Sequence, residues 1–285
     1  MTQIPAFRDV VGTHDIVFVT LDTLRFDVAD TELAAGRTPN LAALLPGGRW
    51  EQRHTPATFT FPAHQAFFAG FLPTPADGGD HERLFAAEFP GHTEDLLGSG
   101  TWLFGEATVV EALAAAGYRT VCLGGVGFFN RQTALGSVLP DLFEESHWSE
   151  ATGVADPDSF DHQLDALDSR LAVDDPRPRF VFVNVAALHQ PNHFYLDGIA
   201  STPETRRPDT LESHAAALRY VDSRIPRLTR MLTAGPRPVF LIVCSDHGTA
   251  YGDDDRQGHR LAHECVWTVP YAHTVLPHLT SGAAA

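Results

Sequence analysis

Five short apolar runs, rich in β-branched residues, punctuate this chain: Ile16–Leu21, Thr120–Leu123, Phe180–Val185, Val239–Cys244 and a weaker Trp267–Val269. Runs of this length without polar alternation read as strands buried on both faces. Helical patterns separate them. Thr38–Leu45 has Thr38 as cap and Pro39 in the first turn; Ala107–Ala116 stops at Gly117; Asp158–Leu171 is amphipathic; Leu211–Leu232 contains Pro226, expected to bend it. Strands alternating with helices predict an α/β fold: a mostly parallel central sheet in a three-layer α/β/α sandwich. With 285 residues, 44% of them hydrophobic, one core suffices, and the chain reads as a single domain over 1–285. Pro73–Thr101 is rich in Gly, Pro and charge and has no period. It is too long for an ordinary connector and reads as a lid loop or a disordered excursion.

The formal net charge of −16 argues against a nucleic-acid partner, which needs a basic footprint. It leaves room for a small phosphorylated ligand, because a bound metal reverses the local field. No apolar run approaches the roughly 20 residues that span a bilayer, and Met1–Val11 has no apolar signal region, so no membrane partner is expected. Cys122 and Cys244 lie within strand-like runs, and Cys265 is an odd third. They read as buried thiols of a cytoplasmic protein rather than as a disulfide framework. Fifteen histidines is a high count, and several cluster, which favours metal binding.

The run Val239–Cys244 leads directly into Ser245-Asp246-His247-Gly248. This puts two metal-ligand types at a strand's carboxyl end, the edge where open α/β sheets bind ligands. Asp22 is likewise the first carboxylate to emerge after Ile16–Leu21, as a metal ligand or a plain helix cap. Thr60 precedes Pro62, a residue suited to a first helical turn, so Thr60 belongs at a helix N-terminus. Free N–H groups there favour an anion, and a metal can turn the hydroxyl into a nucleophile. A simple cap is the alternative, and Thr58 is the rival hydroxyl. His189 and His193 follow the Phe180–Val185 run, with Pro191 arguing for a turn between them; His259 and His263 follow the Asp-His pair.

Four motifs resemble the alkaline phosphatase/sulfatase superfamily: VFVTLDTLRFD (Val17–Asp27) with TPNLAAL (Thr38–Leu44), TFPAH (Thr60–His64), SDHG followed by GH and VPY (Val269–Tyr271), and RYVDSRIPRL (Arg219–Leu228). Their order covers most of the chain and is similar to a short hydrolase branch lacking the usual C-terminal subdomain. Formylglycine sulfatases need Cys or Ser where Thr60 stands and Arg where His64 stands, and they carry a Lys where this chain has Gly124-Gly125. A Thr nucleophile is what phosphodiesterase, phosphoethanolamine-transferase and phosphonate-cleaving relatives use.

The resemblance implies one divalent metal, Zn²⁺ or Mn²⁺, held by Asp22, Thr60, Asp246 and His247. It implies a second metal, or an anion held directly, at His189, His193 and His263, with His259 in reserve. His189 stands where relatives have Asp, and His263 matches the last His of cofactor-independent phosphoglycerate mutases. Arg25 and His64 are candidates to steady the substrate, Arg25 equally a structural residue. The implied activity is metal-dependent hydrolysis of a small-molecule phosphate ester (phosphomonoester, phosphodiester or phosphonate) through a phospho-threonine. The alternatives are a phosphoryl-group transferase or mutase, a sulfate-ester hydrolase without formylglycine, and a non-catalytic metal-binding relative. Phe128-Phe129, within Gly124–Arg131, is a substrate platform or core.

Overall fold

A computed structural model describes residues 5–70, 85–86, 102–103, 108–197 and 206–278. The lid expected at 73–101 lies outside the described residues, apart from Phe85–Ala86, which pairs in parallel with Trp102–Leu103. Seven strands form the main sheet: β1 (Asp15–Leu21), β2 (Glu51–His54), β3 (Arg119–Leu123), β4 (Glu145–His147), β5 (Arg179–Val185), β6 (Val239–Cys244) and β7 (Thr268–Leu276). Their spatial order is β2-β7-β6-β1-β5-β3-β4. The five strands from β6 to β4 run parallel, and β7 closes antiparallel to β6 and to β2.

The central strands are apolar on both faces because helices cover both. On one face Val17, Val19, Leu21, Val181, Val183 and Leu241 pack with Phe160, Leu164, Leu218 and Ile225, from the helices Ser159–Leu171 and Leu211–Thr233. On the other, Ile16, Phe180, Phe182 and Phe240 meet Phe68, Val110 and Leu113, from the helices Thr60–Ala69 and Val109–Ala115. The period of two along each strand sorts small branched residues to one layer and aromatics to the other.

The sequence reading differs at several ends. The last strand runs to Leu276 rather than stopping at Val269. Thr38 does not cap its helix with its side chain; Asp222 from the long helix accepts instead from the Leu41 N–H (2.7 Å) and the Asn40 amide (2.8 Å). Thr108 makes a full capping box with Glu111 at the start of Val109–Ala115. Pro226 sits inside Leu211–Thr233 without ending it. All three cysteines are unpaired and buried. Among the described residues no helix is long and apolar enough to cross a membrane.

Candidate metal centre and nucleophile

Register alone brings the carboxylates together. Thr20 of β1 lies opposite Asn184 of β5 and Cys244 of β6. Two residues further on, Asp22 and Asp246 therefore emerge side by side at the carboxyl edge. Asp22, Asp246 and His247 are all fully buried, and one ligand atom from each lies within 4.8 Å of the others. The His247 ring points its Nδ1 at the Gly248 carbonyl (2.8 Å), so Nδ1 carries the hydrogen. The Nε2 lone pair then faces Asp246 Oδ2 at 3.5 Å and Asp22 Oδ1 at 3.9 Å.

Thr60 begins the helix Thr60–Ala69 and completes the cluster. Its hydroxyl is 3.4 Å from Asp22 Oδ2 and 3.3 Å from His247 Nε2. The N–H groups of Thr60 and Phe61 are those a helix start leaves without an intrahelical acceptor, and Pro62 has none to offer. Thr60, not Thr58, presents its hydroxyl here; Thr58 instead accepts the Arg260 N–H on its carbonyl.

Two carboxylates in so dry a place are costly unless a cation joins them. Burial, followed by the charge of Asp246, raises the Asp22 pKa to about 6; burial raises that of Asp246 to about 7. Asp22 Oδ1 and Asp246 Oδ2 are buried without any hydrogen-bond partner. Orphaned carboxylate oxygens, an imidazole lone pair and a hydroxyl facing one another fit a divalent ion with mixed N/O ligands.

A hydrogen-bond relay beneath the cluster holds it in place. Asn184 Nδ2 donates to Asp22 Oδ2 (3.0 Å) and to Thr20 Oγ1 (3.3 Å), while Asn184 Oδ1 accepts from the Val126 N–H (3.0 Å). Thr20 in turn bonds His64 Nε2 (3.1 Å), and His64 Nδ1 donates to the Thr60 carbonyl (2.7 Å). The N–H groups of Thr23 and His247 both donate to Asp246 Oδ1.

The relay corrects the reading of His64 as a substrate contact. The ring is fully buried and ringed by Phe67, Phe68, Phe129 and Phe182. Burial pushes its pKa down to about 3, so it is a neutral strut for the nucleophile's backbone. Arg25 is also structural: its buried guanidinium pairs with Asp27 and Asp253. Phe129 is core; Phe128 is half-buried against Phe59 and Phe61.

The remaining histidines divide. The His259 ring centroid lies 4.7 Å from that of His247 and 5.6 Å from that of His189. His189 Nδ1 is committed to the Gln190 carbonyl (2.6 Å), which leaves Nε2 as a lone-pair donor. Burial, then the charges of His247 and His189, hold the His259 pKa at about 3, and its buried Nδ1 has no partner. His193 is fixed by Asp209, which accepts from its Nδ1 (3.2 Å) and its backbone N–H (2.8 Å). Its Nε2 is buried and unpaired, a carboxylate-oriented imidazole of the kind that ligates metals. His263 is not part of this cluster. It caps the helix Glu264–Trp267 through the Cys265 N–H (3.2 Å) and turns Nε2 to Asp254 (3.1 Å), so both nitrogens are spent. His259, held only in reserve for the second site, lies between His247 and His189. Sequence reasoning missed Asp209, whose position past a polar loop gives no sign of a partner at His193.

A largely parallel sheet with an aspartate, a helix-start threonine and an Asp-His pair along its carboxyl edge defines an enzyme of the alkaline phosphatase/sulfatase superfamily. The family model described as Sulfatase matches residues 14–272, and the chain belongs to that family. No curated protein sequence matches it significantly. Among solved structures, it resembles the C-terminal periplasmic domain of phosphoethanolamine transferase EptC from Campylobacter jejuni at 13% identity, with TM-score 0.60, 92% of this chain and 80% of that one covered. The soluble domain of lipooligosaccharide phosphoethanolamine transferase A from Neisseria meningitidis matches at 14% identity and TM-score 0.61, covering 96% and 79%. The C-terminal periplasmic domain of Escherichia coli EcEptC, in complex with Zn, matches at 17% identity and TM-score 0.59, covering 93% and 73%. At such identities the likeness is one of fold.

Proposed function

We propose that the chain is a metal-dependent phosphoesterase that works through a phospho-threonine at Thr60. The observation that carries this reading is the Thr60 hydroxyl between Asp22 and His247, at a helix start, beside two orphaned carboxylate oxygens. Asp22, Asp246, His247 and Thr60 would hold one divalent ion, Zn²⁺ or Mn²⁺. A bound ion lowers the pKa of the Thr60 hydroxyl and offsets charge on the transferred group. Thr60 Oγ attacks phosphorus in line, and the ester oxygen leaves with the bonding electrons. The N–H groups of Thr60 and Phe61 face the equatorial oxygens. Water then attacks phosphorus and breaks its bond to Thr60 Oγ, which regains its proton; the product is phosphate from a monoester, a phosphomonoester from a diester, or the corresponding phosphonate. His189, His259 and His193 offer imidazole nitrogens for a second ion or for substrate hydrogen bonds.

Sulfate chemistry fits less well. A Cβ on Gly125, in the Gly-Gly that stands where sulfatases carry Lys, would lie 2.3 Å from the Asn184 carbonyl oxygen. Transfer to an alcohol instead of water is the second reading, favoured by the phosphoethanolamine transferases among the structural relatives. The substrate is proposed to be a small-molecule ester rather than nucleic acid, given the net charge. A cytoplasmic location is proposed from the unpaired thiols.

Turnover of phosphomonoester, phosphodiester, phosphonate and sulfate esters by the metal-loaded protein, with and without an alcohol acceptor, tests the reading. Thr60→Ala is expected to lose at least about a thousandfold in kcat while retaining most of its metal. Full activity in that variant removes Thr60 as the nucleophile.

A further inference from the structure

We propose that Arg260 is a second anion-recognition point at the mouth of the Thr60 site, binding a carboxylate or phosphate that the substrate carries outside the reacting group. The inference rests on the phosphoesterase reading and adds to it a substrate class: esters with a second negative charge.

Arg260 is tied to the nucleophile from two sides. Its backbone N–H donates to the Thr58 carbonyl at 2.8 Å. Its guanidinium carbon sits 4.9 Å from the centroid of the Phe59 ring, and Phe59 directly precedes Thr60. The residue before it, His259, packs against His247. Arg260 thus links the nucleophile segment to the histidine cluster.

Two further features, each shared with a few other residues, accompany this placement. Its backbone has φ of +69°, a left-handed conformation that non-glycine residues adopt rarely and that concentrates at functional sites. The chain has 36 acidic against 20 basic side chains, and Arg25, Arg37, Arg119 and Arg177 are all ion-paired. Yet among the described residues the exposed Arg260 guanidinium has no carboxylate partner. The buried carboxylates have their own cation site and the reacting group has the helix start, so neither requires this charge. A planar guanidinium anchored over a ring suits a carboxylate or phosphate oxygen pair arriving from solvent.

Two size-matched probes separate this role from general anion binding: 3-phosphonopropionate and propylphosphonate, titrated calorimetrically into the metal-loaded protein. The wild type is expected to favour 3-phosphonopropionate by about fivefold, the scale of one exposed ion pair, and less at high salt. Arg260→Met is expected to erase that preference and to weaken propylphosphonate less. Arg260→Gln repeats the test with a polar side chain, and unchanged metal content and Tm verify both folds. A wild type without preference, or an Arg260→Met protein that keeps it, overturns the assignment. If those proteins still turn over test esters, the phosphoesterase reading stands without Arg260. If the wild type binds neither probe and cleaves no ester, both fall.

Discussion

Asn184 decides more about this site than its single amide suggests. It donates to Asp22 at 3.0 Å and accepts from the Val126 N–H at 3.0 Å, so it sets one carboxylate's direction while anchoring a neighbouring loop. Asn184→Leu strips a donor from Asp22 and leaves a buried N–H unpaired. The variant is expected to lose about 1–3 kcal/mol of stability and about 10–100-fold in metal affinity. Metal titration and thermal melting read the two effects, and undiminished affinity would show that Asp22 needs no orientation. At this scale the sequence was legible where residues sit just past a strand or at a helix start: Asp22, Asp246, His247 and Thr60. It was not legible where a side chain's direction decides its role. His64 lies one helical turn beyond Thr60, and nothing in its spacing says that it turns inward to the Thr60 carbonyl. His259 and His263 are four apart, yet only the structure separates the one beside His247 from the one that caps a helix.

Elements explain which parts of the fold escaped prediction. Glu51–His54 is exposed at all four positions and Glu145–His147 at none is fully buried. Both are edge strands of the sheet, where polar residues guard unpaired backbone, so neither carries an apolar period to read. The central strands were readable because burial on both faces demands apolar runs. Between elements, Gly248 is the tightest contact near the site. Its N–H donates to the Val266 carbonyl at 2.7 Å, and an added Cβ would lie 2.0 Å from the Cys265 carbonyl oxygen. A backbone oxygen cannot swing aside as a side chain can. Gly248→Ala is therefore expected to cost about 2–3 kcal/mol and to weaken metal binding, because His247 Nδ1 hangs on the Gly248 carbonyl. Gly235→Ala is the control: its nearest neighbours would be at 3.7 Å or beyond, an ordinary contact. Equal melting temperatures for the two variants would refute the argument.

At the scale of the whole molecule, protons and metal compete for one buried pair. In the metal-free fold the Asp22 and Asp246 pKa values are raised to about 6 and about 7, above the ordinary aspartate range. The folded state therefore holds protons that the unfolded chain has already released. Through these groups the metal-free fold loses stability as pH rises from about 4 through about 7. His64 and His214 act in the opposite sense. Burial depresses them to about 3 and about 4, so their contribution is present above the ordinary histidine pKa of about 6.5 and is lost as pH falls toward those values. Both histidines lie outside the proposed ligand set, His214 away from it and His64 with its Nδ1 3.7 Å from Asp246 Oδ2. The difference in Tm between metal-loaded and metal-free protein removes the His214 contribution and reads the groups at the ion: the two carboxylates, whose protons must leave, and His247, which burial already holds below the ordinary histidine pKa. Metal needs both carboxylates ionised, so binding must displace their protons at low pH. The Mn²⁺-induced rise in Tm is expected to be small near about pH 5, to grow through about pH 6 to 7, and to level off above about pH 7.5. Differential scanning at fixed free Mn²⁺ measures it directly. A rise that stays constant across that range would mean that the ion does not bind at Asp22 and Asp246, and the buried pair would need another source of positive charge.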